Sequence, residues 1–138
     1  MRANTVAKAY TAVDLSSKTV NRSPEELIAL LLDKACESLK RASMLPIDSL
    51  EAEDLQSRLG IIEEFHKSTS KALQIVVALD EMLDMETGGE ISQQLSETYT
   101  IIARNIWEAT RNKNRADLAK LYAALAELRA GWENVVSA

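Results

Sequence analysis

The chain has 138 residues, of which 46% are apolar, 27% charged and only 4% aromatic, with four Gly, two Pro and a net charge of −5. That is the length of one domain with its own core, and the composition excludes a disordered, collagenous or disulfide-stapled chain. The acidic balance argues against a general nucleic-acid binder, and few aromatics and turn residues argue against an all-β fold.

Residues 1–22 form a polar leader in which Val6, Tyr10 and Val13 sit at i, i+4 and i+7, the spacing of a short amphipathic helix. It has no apolar h-region, and the longest apolar runs, Leu27–Leu32 and Ile75–Leu79, are far short of the roughly 20 residues that span a bilayer. The expected compartment is the cytosol, without membrane insertion. The rest, residues 23–138, reads as a single helical domain.

Ser23 as N-cap, Pro24 at the first helical position and Glu26 three residues after the cap start the first helix, which Pro46 closes. Its opening, Leu27-Ile28-Ala29-Leu30-Leu31-Leu32, is apolar all round, so it is expected to be buried on several sides. A second helix is expected from Asp48 or Ser49 to about Met85, with stripes through Leu55, Leu59, Ile62, His66, Thr69 and Leu73 and through Ile61, Phe65, Ala72, Ile75 and Leu79. Gly88-Gly89 break it. A third helix follows from about Ile91 to Asn112, and Asn112-Lys113-Asn114 turn into a fourth that runs to about Val136.

Short connections between four helices imply an all-α, antiparallel four-helix bundle. The second helix would be the long one, about 54 Å against roughly 30–33 Å for the others. Its apolar C-terminal third would overhang, to be covered by the leader, by another copy or by a partner peptide. That leaves the chain a monomer or a weak homodimer.

Few residues offer chemistry. His66 and Cys36 are the only His and Cys, which rules out a HEXXH zinc site, a paired-cysteine site and a di-iron Glu-x-x-His set. His66 falls on a core stripe and reads as a packed or boundary histidine. The sharper alternative is a phosphotransfer histidine in a helical bundle. Cys36 reads as a small buried apolar residue, because nothing basic is arranged around it. Glu63-Glu64 and Asp80-Glu81 point about 100° apart and read as solvated faces. Arg111, Lys113 and Arg115 read as a solvated turn. No phosphate loop and no Ser/His/Asp set is present, so neither catalysis nor a cofactor is expected.

The order of several short motifs resembles the FliS family, the flagellin-specific secretion chaperones of the flagellar export system. They are Ser23-Pro24-Glu25-Glu26-Leu27-Ile28, Leu83-Asp84-Met85-Glu86-Thr87-Gly88-Gly89-Glu90-Ile91 with Leu95 and Tyr99, Glu108-Ala109, and Glu127-Leu128-Arg129-Ala130-Gly131-Trp132. Ala9-Tyr10 is similar to the family's leader tyrosine. The resemblance implies a cytosolic helical bundle that is not an enzyme. It would bind the disordered C-terminal segment of flagellin in apolar grooves, block premature polymerisation and help present the client to the export gate, a second candidate partner. The expected groove comprises Leu73, Val76, Val77 and Leu83 with Leu95, Tyr99, Ile102 and Ile106, and Val6, Tyr10 and Val13 form a displaceable leader plug. A helical adaptor for a different client is the other alternative.

Overall fold

The computed structural model describes the backbone of residues 23–137 and the side chains of residues 23–134. The leader and its expected plug, Val6, Tyr10 and Val13, lie outside them. Four α-helices follow in order: α1 Pro24–Met44, α2 Leu55–Glu81, α3 Gly89–Arg111 and α4 Arg115–Ser137. A single 3-10 turn, Leu50–Ala52, sits between α1 and α2. Each helix packs against the next, and α4 closes on α1, which makes the expected antiparallel four-helix bundle.

The start of α1 is as the sequence dictates. The Ser23 hydroxyl accepts from the Glu26 N–H at 3.2 Å while the Glu26 carboxylate accepts from the Ser23 N–H at 3.4 Å, and Pro24 follows the cap. Leu27, Leu31, Leu32, Ala35, Cys36, Leu39 and Ala42 of α1 are all buried. Two faces are needed because α1 lies between α2 and α4, the two seams with the most contact. Burial pushes the Cys36 thiol pKa up, which keeps it protonated and unreactive.

The second helix is shorter than expected. It has 27 residues, about 40 Å, where α1 spans about 32 Å and α3 and α4 about 35 Å. Its N-terminus is displaced to Leu55, because Asp54 caps it by accepting the Ser57 N–H at 2.8 Å. Upstream, Asp48, Glu51 and Asp54 would stack as like charges at i, i+3 on a continued helix. Arg58 holds the alternative path by donating to the Glu53 and Glu51 carbonyls at 2.8 and 3.4 Å. The C-terminus moves back to Glu81, because the Asp84 carboxylate accepts from the Glu86 and Thr87 N–H groups, both at 3.2 Å, and from the Thr87 hydroxyl. Such local bonds compete with helix.

The expected overhang is corrected accordingly. The C-terminal third of α2 is covered, with Ala72, Ile75, Val76, Ala78 and Leu79 buried. After the Gly88-Gly89 turn α3 runs straight back along it, fixed by the Ser96 hydroxyl donating to the Asp80 carboxylate at 2.6 Å.

Both inter-helix turns on either side of α3 are tightly specified. A Cβ on Gly88 would lie 2.6 Å from the Asp84 carbonyl oxygen, and Gly89 has φ +58°. At the other end Asn112 closes α3 in a Schellman motif, with Asn114 N–H bonded to Ala109 O at 2.9 Å and Lys113 N–H to Thr110 O at 3.1 Å. Lys113 occupies the left-handed position at φ 53°. Asn114 then caps α4, its side chain accepting the Asp117 N–H at 3.1 Å.

Gly88→Ala should lower stability by about 1–3 kcal/mol, because a Cβ there meets both the Ser92 side chain and the Asp84 carbonyl oxygen, and the latter is backbone and cannot rotate away. Lys113→Gly should raise it by up to about 1 kcal/mol, since the left-handed conformation costs Lys roughly 1–2 kcal/mol that glycine avoids, less the entropy of a freer unfolded chain. Urea unfolding followed by circular dichroism reads both.

Candidate functional site

The apolar residues singled out in the sequence divide by burial. Val76, Tyr99, Ile102 and Ile106 are interior, Leu73, Leu83 and Leu95 are half-buried against the core, and Val77 is 43% exposed. Burial raises the Tyr99 phenol pKa, and the Asp80 carboxylate raises it further, so the ring is a neutral core element. Side chains outside the expected groove add to the accessible apolar surface: Trp107 is 52% exposed and Ile91 72%, with Met85 and Ile101 exposed as well.

Two strips flank α3. The Asp80–Ser96 bond marks the edge along which α2 meets α3. On α2, Val77 lies three residues before Asp80 and Leu73 four before Val77, all on one helix edge. On α3, Ala103 lies seven residues after Ser96 and Trp107 four after that, again one edge. The outer rim of this seam is therefore apolar on both sides. Arg111 extends it, its guanidinium lying 5.4 Å from the centre of the Trp107 ring. The second strip lies toward α4, where Ile91 and Leu95 are one turn apart and α3 meets α4 along the thinnest of the four seams. Leu128 and Trp132 of α4 are half-buried against the core.

The α4 side is fastened to α1 instead of α3. Arg129 pairs with Asp33 at 3.1 Å, the Trp132 indole donates to the Glu25 carbonyl at 2.9 Å, and Arg115 donates to the Ser43 carbonyl at 3.0 Å and to Asp48 at 3.2 Å. The basic turn read as solvated is thus put to structural use: Arg115 clamps the end of α1 and Arg111 stacks on Trp107.

His66 is exposed, contrary to the expectation of a packed or boundary side chain. Phe65 is the residue that points inward, and a helical neighbour is turned about 100° away, leaving His66 edge-on to the Phe65 ring at 5.7 Å. Leu55 and Leu59, on the same expected stripe, are 71% and 58% exposed. The stripe through Leu59, His66 and Leu73 is the rim of α2, one step off its buried face.

Among the described residues, no group of three or more His, Cys, Asp or Glu side chains could hold a metal ion, and no helix is long and apolar enough to cross a membrane. What the bundle offers is apolar surface flanking one helix, the equipment of a protein that binds another chain. Comparison with known proteins agrees. The profile of the family described as flagellar protein FliS matches residues 6–138. Similar relatives include the flagellar secretion chaperone FliSB of Pseudomonas aeruginosa, 28% identical over 98% of each chain. The flagellar secretion chaperone FliS of Salmonella typhimurium is 30% identical over 93% of this chain and 87% of its own length. That of Vibrio cholerae is 25% identical over 93% and 86%. The chain belongs to the FliS family.

Val76 and Val77 are neighbours with opposite exposures, which makes a direct check of this geometry. Val76→Asp should abolish cooperative folding by burying a carboxylate with no partner. Val77→Asp should change stability by no more than about 1 kcal/mol. Thermal melts of the two variants read the difference.

Proposed function

We propose that this protein is a cytosolic flagellar secretion chaperone whose client is the C-terminal segment of flagellin, which it holds against premature polymerisation and delivers to the flagellar export apparatus. The family and the names of its relatives support the role. The observation that carries the binding mode is the pair of apolar strips beside α3, with Val77, Ile91 and Trp107 exposed.

In this reading the client chain wraps α3. Its apolar anchors meet Leu73, Val77 and Trp107 on one side and Leu83, Ile91 and Leu95 on the other. Val76, Tyr99, Ile102 and Ile106 form the floor beneath the grooves. Each apolar side chain buried contributes about 1.5–3 kcal/mol, so a few anchors exceed the roughly 2–5 kcal/mol needed to order a disordered partner. The leader, through Val6, Tyr10 and Val13, occupies part of the groove in the free protein and yields to a client with more anchors. Binding needs no cofactor, and the working unit is a monomer or weak homodimer.

Calorimetry and circular dichroism with the C-terminal segment of the cognate flagellin test the reading. Expected are one-to-one binding, a gain in helix and a negative heat-capacity change. Val77→Asp combined with Trp107→Ala should weaken binding at least tenfold at unchanged free-state helicity. No binding at high micromolar concentration, with the leader present or deleted, would remove flagellin as the client and leave an adaptor for another protein. Exposure alone favours a phosphotransfer role for His66. His66→Gln should leave folding and client binding unchanged, and loss of function in cells despite intact binding would favour phosphotransfer.

A further inference from the structure

On the far edge of α2 from Val77, the seam with α1 opens into a cleft of about 270 Å³. Four cations line it, Lys34 and Arg41 from α1 and Lys67 and Lys71 from α2, with two carboxylates, Glu37 and Glu64. Both carboxylates are already engaged: Lys34 pairs with Glu37 at 3.3 Å and Arg41 with Glu64 at 3.0 Å. Lys67 and Lys71 have no ion-pair or hydrogen-bond partner among the described residues. Ser38 and Ser68, both buried, leave the space between the helices. In a chain of net charge −5, a cleft with surplus positive charge is a local reversal of sign.

We infer that this α1–α2 cleft docks an acidic segment of a partner protein, whose carboxylates pair with Lys67 and Lys71 and compete for Lys34 and Arg41. The shape favours a row of charges over a compact anion. Lys34 and Arg41 are seven residues apart, about 10 Å along α1, and Lys67 and Lys71 are one turn apart, about 6 Å on α2. A phosphate ion reaches one level of this ladder, whereas a chain bearing successive Asp or Glu reaches all of them. Charge also decides against the protein's own leader as occupant, since residues 1–22 carry Arg2, Lys8, Lys18 and Arg22 against Asp14. The cleft and the strips beside α3 lie on different edges of the bundle, so an acidic partner and an apolar client can be held together.

The test uses the full chain and a capped Glu-rich peptide of about ten residues, long enough in any conformation to span the cleft. Fluorescence anisotropy at low ionic strength should show one-to-one binding that fades as salt rises toward about 0.5 M. Lys67→Gln combined with Lys71→Gln should weaken it at least tenfold, at unchanged helicity and unchanged flagellin-segment affinity. The peptide should bind the flagellin-loaded complex as well as the free chain. The proposal is overturned by no binding, by equal binding of the double variant or of a Gln-for-Glu peptide, or by inorganic phosphate occupying the cleft where the peptide does not. Because the flagellin segment is titrated separately, failure here is distinct from failure of the client assignment.

Discussion

Everything in this bundle depends on α1 being apolar on two faces. Leu27, Leu31, Leu32 and Leu39 cannot all be buried against a single neighbour, so α2 and α4 close on α1 from both sides. Ala35, Cys36 and Ala42 are buried among them, and their small side chains let the neighbours approach. The bonds Arg129–Asp33, Trp132–Glu25 and Arg115–Ser43 then tie α4 to α1 along its length. With α2 and α4 committed to α1, α3 is held firmly by α2 and only lightly by α4. The surface proposed to take the client is this remainder: one helix packed along one edge, with apolar side chains left accessible on both of its flanks.

That division fits the proposed role of holding a client chain and later releasing it. The part of the fold with the densest packing lies away from the proposed groove, so a client can be gained or lost without disturbing the core. In the proposed groove, core residues such as Tyr99 and Ile102 make the floor and their exposed neighbours stand above it. Such a site offers anchors for a segment that becomes ordered on contact and no pocket for a small molecule. The apolar strip through Val77 and the basic cleft occupy opposite edges of α2, which gives one helix two kinds of neighbour: apolar toward α3 and cationic beside α1.

Much of the fold was legible in the sequence because local chemistry and global packing agree there. The Ser23-Pro24-Glu26 cap, Pro46, Gly88-Gly89 and the Asn112–Asn114 turn each mark a boundary within a residue or two. The ends of α2 were not legible, because apolar periodicity continues through Leu50 and Leu83 while Asp54 and Asp84 take backbone N–H groups and stop the helix. The overhang inferred from that length vanished with it. Periodicity located the rim of α2 but not its inner face: Phe65 and His66, or Val76 and Val77, are adjacent, and an error of one position exchanges core for surface. Trp107 and Ile91 were visible as apolar residues of α3, Ile91 on its main stripe and Trp107 beside it. Only the packing of its neighbours shows that nothing in the described chain covers them.

The central claim is that the client lies along both flanks of α3 while α1 serves as the fixed scaffold. Hydrogen exchange of the backbone, compared between the free protein and its complex with the flagellin C-terminal segment, tests it most directly. The account predicts added protection in α3 and in the second half of α2, with α1 unchanged because it is already fully protected. Protection confined to the α1–α4 seam, or a complex that leaves α3 exchanging as in the free protein, would contradict it.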